Sequence, residues 1–508
     1  MKSQVASKLK ALPFILLFAV SGCASNTAIE EPISELATYE NQKLDWATCY
    51  DDFECTDLLV PIDYADLTVG TFEISVLRYK AQDQKNRIGS LIVNPGGPGG
   101  SGVDYAYNAE FIFDPDVLDR FDIVGFDPRG VDRSEPIKCL NDAETDASYA
   151  ADAKPDNEAE LAKAMADAKD FIDKCQSANK YLNHYSTAEA ARDMDILRAA
   201  LGDEKLNYLG KSYGTYLGTL YAQFFPDKVG RMVLDGAVDP NISILEQNIS
   251  QAKGFDDALG AFITNCAKED DCPLSKDKQE AVKQIISVFT SAAKSPLPRK
   301  TKVQNDDRSA TESLIVLGTA SALYDDVDGW PKLRAALGEA LQGYGDTFLD
   351  LADQYTERSS DAKYTSNTLD SGAVIDCLDW PDTRTIEETK ADVKRFTDAA
   401  PIFGPYLAYS NIACKYLTLP TKDKLTRTTD KITSIKTAPI IVIGTTGDPA
   451  TPYEWAVGLN KIFTSSKLIT LNADGHTGQG RGSACVDDAV DAYLLEGKSP
   501  KKNLNCDL

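Results

Sequence analysis

The chain has 508 residues, 43% hydrophobic and 26% charged, with a formal net charge of -25 and a pI near 4.6. That length buries a large core and suggests two or three domains, or one domain with an inserted lid. The acidity excludes a nucleic-acid binder and electrostatic attachment to anionic lipid. It reads as a device for solubility, with attraction of cationic substrates as a second reading.

Lys2, Lys8 and Lys10 precede an apolar stretch, Ala11 to Val20, which leads into Ser21-Gly22-Cys23. The run is too short to span a bilayer and has the pattern of an export signal. Small residues directly before a cysteine resemble a bacterial lipobox. That resemblance implies a signal peptide over residues 1–22, lipidation of Cys23 and anchoring in a membrane. Ala24 is not an aspartate, which favours the outer membrane in a host that has two. Residues 23–44 are polar and Glu-rich and are expected to form a flexible tether.

Setting Cys23 aside leaves ten of the 11 cysteines, an even number in an exported chain, so disulfides are expected. Near-neighbour spacing suggests Cys49–Cys55, Cys139–Cys175, Cys266–Cys272, Cys377–Cys414 and Cys485–Cys506. There is no C-x-x-C pair and no His/Cys cluster, so neither a metal nor another cofactor is expected.

From there the chain is β-rich. Leu58 to Val60 and Thr71 to Tyr79 read as strands punctuated by Pro61 and Gly70. Ser90 to Val93 is a short apolar strand running into Asn94-Pro95-Gly96-Gly97-Pro98-Gly99-Gly100-Ser101-Gly102. Such a loop leaves backbone N–H groups free to point at an anion. Gly97 to Gly102 formally matches the dinucleotide fingerprint, with Asp127 after the next strand. The competing reading is one half of an oxyanion hole. Phe121 to Phe126 is a further strand, ending in Asp127-Pro128-Arg129-Gly130; Arg129 reads as a structural anchor. Residues 140–180 form a solvated helical excursion. Thr187 to Leu201 is an amphipathic helix with Thr187 as its expected N-cap.

The next stretch organises the rest. Leu206 to Leu209 is a strand that stops at Gly210-Lys211-Ser212-Tyr213-Gly214, and Thr215 to Phe225 is compatible with a helix. This G-x-S-x-G in a strand–turn–helix setting marks a nucleophile elbow, with Ser212 exposed at a strained apex. Val229 to Leu234 is the next strand. From 241 to 430 helical patterns dominate and strands are scarce. Ile440 to Ile443 and Ser466 to Leu471 are late strands, and Cys485 to Leu495 is a terminal helix.

A serine hydroxyl needs a base, and the chain has two histidines. His184 precedes the elbow. His476 follows the last expected strand, which matches the chain order Ser, acid, His. The acid that orients the imidazole is expected to be Asp448, in the turn after Ile440 to Ile443; Asp474 is too close in sequence to reach behind the ring. The backbone N–H of Tyr213 is one expected oxyanion donor. The Gly96–Gly97 region supplies the other, with Gly97 favoured.

The motifs Asn94 to Gly102, Phe126-Asp127-Pro128-Arg129-Gly130, Gly210 to Thr215, Asp235-Gly236, Gly447-Asp448 and Gly475-His476 resemble the tripeptidyl and prolyl aminopeptidase group of α/β-hydrolases. The C-terminal part, with Asp448, His476, Cys485 and Cys506, is similar to the domain typical of the exported tripeptidyl aminopeptidases. The resemblance runs from about Trp46 to the C-terminus. Asp132 stands where that group more often carries glycine. The resemblance implies an α/β-hydrolase fold, with a mostly parallel sheet and an inserted, mostly helical cap. The core is then 45–240 and 431–508, and the cap 241–430. It implies a serine exopeptidase acting on peptides with a free N-terminus, whose amine is held by cap carboxylates. A carboxylesterase on the same triad is the alternative, and a non-catalytic lipoprotein a third class. The expected setting is a periplasmic or cell-surface monomer, held to the lipid bilayer by its anchor.

Overall fold

The computed structural model describes residues 35–50, 52–303, 306–418 and 431–508, all within one compact unit, Ile33–Leu508. Residues 1–22 and Cys23 lie outside the described residues, as do residues 24–34 of the expected tether. The tether's last part departs from expectation. Leu36–Glu40 is a helix, Tyr39 is buried, and its hydroxyl bonds to Thr71 Oγ1 at 2.9 Å. The Gln42 amide brackets Leu59, bonding both its carbonyl and its N–H at 2.8 Å. One buried aromatic and a side chain that completes a strand edge are enough to order a polar segment.

The strands in chain order are β1 (Ala47–Thr48), β2 (Phe53–Pro61), β3 (Thr71–Tyr79), β4 (Gly89–Asn94), β5 (Phe121–Phe126), β6 (Leu206–Lys211), β7 (Val229–Asp235), β8 (Leu297–Pro298), β9 (Ser309–Ala310), β10 (Ile440–Gly447), β11 (Lys467–Asp474) and β12 (Leu504–Asp507). Ten form one sheet in the order β1-β2-β3-β5-β4-β6-β7-β10-β11-β12. β1 pairs antiparallel with β2, β2 with β3 and β3 with β5, and every pair from β5 to β12 is parallel. β4 and β5 are buried at every position, as parallel strands covered on both faces must be. The expected sequence of elements omits β12, which adds a parallel edge after the terminal helix (Ala484–Glu496).

Two of the hydrophobic clusters lie against this sheet, one including Ile92, Val124 and Tyr208, the other Leu91, Ile123 and Leu209. The alternation of these neighbours along β4, β5 and β6 assigns one cluster to each face. Between β7 and β10 the chain is mainly helical and carries its own cluster, with Phe262, Ile315, Leu333 and Phe348 fully or nearly fully buried. Its two short strands, β8 and β9, pair only with each other.

Arg129 is fully buried and anchors the loop after β5. It grips Asp193 with Nε and Nη2 at 2.7 and 2.6 Å and donates to the carbonyls of Pro61, Ile62 and His184. All five guanidinium donors are used, the condition under which a buried cation is tolerated. The following helix (Thr187–Ala200) is capped by Ser186, not Thr187. The Thr187 hydroxyl instead bonds Asp379 and the Tyr213 hydroxyl. The five disulfides join Cys49–Cys55, Cys139–Cys175, Cys266–Cys272, Cys377–Cys414 and Cys485–Cys506. Among the described residues no helix is long and apolar enough to cross a membrane.

Candidate active site

β6, β10 and β11 run parallel, so their C-terminal ends open on one edge of the sheet, where open α/β sheets place their sites. Ser212 follows β6 directly, with φ 54° and ψ -126°, and the Tyr213–Phe224 helix starts on the next residue. A non-glycine residue at positive φ is strained and persists only where its surroundings impose it. Here both flanking glycines make room. A Cβ at Gly210 would lie 2.5 Å from the Gly214 carbonyl oxygen, and one at Gly214 would lie 2.7 Å from Asn94 Oδ1. The Ser212 amide donates to the Asp235 carbonyl at 2.8 Å, fastening the apex to β7.

Asp448 sits in the turn after β10 and His476 in the loop after β11. Both Asp448 carboxylate oxygens lie 2.9 Å from His476 Nδ1. Asp448 is buried and heavily bonded. Its Oδ1 accepts the amides of Ala450 and Thr451 at 2.9 and 2.8 Å. Its Oδ2 accepts the Thr451 hydroxyl at 2.9 Å and the Thr477 amide at 3.1 Å. A carboxylate with this many donors is fixed in orientation, as the partner of a general base must be. Gly236, beside the residue that holds Ser212, packs on the same imidazole: a Cβ there would lie 3.3 Å from His476 Cε1. The Asp235-Gly236 turn therefore lies against both the serine apex and the histidine ring.

The glycine loop closes the other side. A Cβ at Gly96 would stand 2.8 Å from Ser212 Cβ and 3.3 Å from the Tyr213 nitrogen, at φ +107°. Gly97 follows at φ +120°, with the amide nitrogens of Gly99 and Gly100 2.6 and 2.7 Å from its Cβ position. The Tyr213 amide opens a helix and has no intrahelical acceptor. The dinucleotide reading of this loop fails on Asp127. That carboxylate is fully buried and accepts the Ser101 hydroxyl and the Val103 amide, so it holds the loop and cannot face a ribose.

His184 and Asp474 take no part. His184 Nδ1 bonds Glu189 at 3.0 Å, beside Arg129. Asp474 ends β11 opposite Gly447. Asp132 occupies φ 40°, in the region that favours glycine. It is secured by reciprocal bonds with Asn367, its amide to Asn367 Oδ1 at 3.0 Å and its Oδ1 to the Asn367 amide at 3.1 Å. Burial pushes its carboxyl up to about 7.

The cap contributes residues that the sequence reading does not single out. The Thr368–Asp379 helix lies on the glycine loop, with Thr368 Oγ1 donating to the Gly99 carbonyl at 3.3 Å. Further along, Asp379 accepts the Thr187 amide at 3.0 Å and its charge reaches the Tyr213 hydroxyl. Asp376, one turn earlier, is pushed up to about 8 by burial and then by the charge of Asp379. Tyr324, from the Glu312–Leu323 helix end, accepts the His476 amide at 2.8 Å. These contacts span long sequence separations and have no local signature.

A serine at a strand–helix apex, a buried Asp–His pair and a glycine loop on one sheet edge define the class. The alpha/beta hydrolase fold family matches residues 89–482, and the chain belongs to it. It is 36% identical over 460 residues to serine protease Hip1 of Mycobacterium tuberculosis, covering 89% of this chain and 87% of the relative. It is 38% identical over 461 residues to carboxylesterase B of the same organism, covering 89% and 86%. It is 32% identical over 488 residues to a tripeptidyl aminopeptidase of Streptomyces lividans, covering 91% and 86%. The chain is a serine hydrolase.

Proposed function

We propose that this hydrolase is an aminopeptidase. It releases tripeptides or other short N-terminal pieces from peptides with a free N-terminus. Ser212 attacks the carbonyl, His476 takes its proton and returns it to the leaving amine, and Asp448 stabilises the imidazolium. The amides of Gly97 and Tyr213 receive the oxyanion. Water then releases the acyl group by the same route.

The observation that carries the exopeptidase reading is the carboxylate pair Asp376 and Asp379. It stands on the cap helix that crosses the glycine loop and reaches the nucleophile's helix. Asp379 is buried and Asp376 half-buried; two neighbouring carboxylates repel, and a substrate ammonium between them relieves that repulsion. The relative named tripeptidyl aminopeptidase supports the same reading. The relative named carboxylesterase B supports the second one, ester hydrolysis on the same residues. We propose as well that the chain is exported and anchored through Cys23, a reading supported by its N-terminal pattern and its five disulfides.

The test compares fluorogenic tripeptides with free and acetylated N-termini and a short-chain nitrophenyl ester, with Ser212→Ala as the blank. Turnover of the free-amine peptides alone among the peptides supports the proposal. Equal rates on acetylated peptides, or ester cleavage only, would leave an esterase. Radiolabelled fatty acid incorporated by the wild type and lost in Cys23→Ser tests the anchor.

A further inference from the structure

One side chain of the elbow motif has no part in the mechanism above. Lys211 ends β6, stands in register with Asp235 at the end of β7, and immediately precedes Ser212. Its Nζ lies 3.8 Å from Asp235 Oδ2 and donates to the Gln479 carbonyl at 2.7 Å. Asp235 is fully buried, and its two oxygens accept the amides of Gly478 and Gln479 at 2.8 and 2.9 Å. Its main-chain carbonyl accepts the Ser212 amide at 2.8 Å. Two residues thus hold the serine apex on one side. On the other they hold three polar groups of residues 478 and 479, just beyond His476.

The charges matter to this grip. Hydrogen bonds to an ionised acceptor are shorter and stronger than neutral ones. An asparagine at 235 would offer one acceptor oxygen and set its NH2 against the second amide. A buried ion pair is a poor source of stability compared with apolar packing. Its place beside the reacting residues therefore calls for another account. The other ionisable groups that feel this pair are Tyr105 on the Gly102–Tyr107 helix, Asp487 on the Ala484–Glu496 helix, and His476 itself. His476 is further faced by Asp448 and by the Tyr324 ring.

We propose that Lys211 and Asp235 form a positioning pair that fixes the His476 loop relative to Ser212. Its negative member also favours the imidazolium formed during acyl transfer. The proposal rests on the reading of Ser212 and His476 as nucleophile and base, and not on the choice between peptidase and esterase.

The test uses the full chain with its disulfides formed and a short-chain nitrophenyl ester. Lys211→Met, Lys211→Arg and Asp235→Asn are compared, with rates normalised to the folded fraction from near-ultraviolet circular dichroism. A displacement of the base by about 1 Å costs about 100-fold, so Lys211→Met and Asp235→Asn should lose about that much in kcat with little change in KM. Lys211→Arg should recover most of it. In Asp235→Asn the acid limb of kcat/KM should move to lower pH, because a negative charge facing the imidazolium is gone. A wild-type kcat in Lys211→Met overturns the proposal, as does an arginine variant no better than methionine, or an unmoved acid limb. A wild type equal to Ser212→Ala would overturn the Ser212–His476 reading, and the pair's role with it.

Discussion

Tyr324 and His476 meet twice: the His476 amide donates to the Tyr324 carbonyl at 2.8 Å, and the two rings stand edge to face with centroids 5.1 Å apart. A residue of the cap thus holds both the backbone and the ring of the candidate base. Next to it, Asp326 of the same cap turn pairs with Arg481 of the histidine loop. The cap is part of the catalytic frame, so a change in it is expected to reach the chemistry. Tyr324→Ala keeps the carbonyl contact but frees the ring, and is expected to lower kcat on a small ester by about tenfold. A small ester makes few cap contacts, so an unchanged kcat with a raised KM would show that the cap acts on binding alone.

Gly96 tests the glycine loop. A side chain there would press on Ser212 Cβ and the Lys211 carbonyl oxygen, 2.8 and 2.7 Å away, at a φ of +107° that L residues avoid. Gly96→Ala is expected to move the loop away from the apex. Loss of one oxyanion donor costs about 100-fold or more in kcat. Single-turnover acylation rates should show the loss. An acylation rate within a few fold of wild type would remove the loop from the oxyanion site.

Thr451 addresses how Asp448 is held. Its hydroxyl donates to Asp448 Oδ2 at 2.9 Å and lies 3.3 Å from His476 Nδ1. Thr451→Val preserves shape and removes that one donor. A hydrogen bond to a charged group is worth about 1.5–3 kcal/mol, so kcat/KM is expected to fall about tenfold or more. The amide bonds from Ala450 and Thr451 remain, and the melting temperature should drop only slightly. A large drop in melting temperature with unchanged activity per folded molecule would make the hydroxyl structural.

The Cys377–Cys414 disulfide ties the carboxylate-bearing cap helix to the Ile412–Tyr416 turn across a sequence separation of 37 residues. Chain-entropy arguments give such a loop about 4 kcal/mol. Cys377→Ser with Cys414→Ser should therefore shift the urea midpoint down. If that helix holds the substrate amine, KM for free-amine peptides should rise more than KM for the ester. Equal changes would separate the helix from amine binding.

Much of this arrangement was legible in the chain because its signals are local. Ser212 is announced by the strand, the two glycines and the helix around it. His476 stands out because it is one of two histidines and follows a late apolar strand. Parallel strands such as β4 and β5 are continuous apolar runs, easily seen. The parts not legible depend on tertiary distance. Tyr324 reaches His476 across 152 positions (476 − 324), and Thr187 meets Asp379 across 192. Neither has a local pattern. Lys211 and Asp235 were visible as motif residues, but their hold on residues 478 and 479 requires β7 and β10 to be neighbours, which composition and spacing do not reveal. The order of residues 36–40 rests on one buried tyrosine in an otherwise polar stretch. β12 is short and lies at the sheet's edge, where strand propensity is a weak guide.

Asp376 makes the substrate reading accessible through pH. Its carboxyl is raised from 3.8 to about 8, first by burial and then by Asp379. The folded protein therefore keeps a proton that the unfolded chain releases near pH 4. With fewer protons on the unfolded state, stability falls as pH rises from about 4 to about 8 and levels off above that. Asp376→Asn removes the ionisation, so this part of the decline should flatten and the variant should be the more stable form at pH 8. A free ammonium in the site favours the ionised carboxylate. KM for a free-amine peptide should then fall as pH rises toward 8, while KM for the ester stays level. Asp376→Asn should raise the peptide KM and abolish its pH dependence, with kcat on the ester unchanged. Parallel pH profiles for peptide and ester in the wild type would place the amine elsewhere.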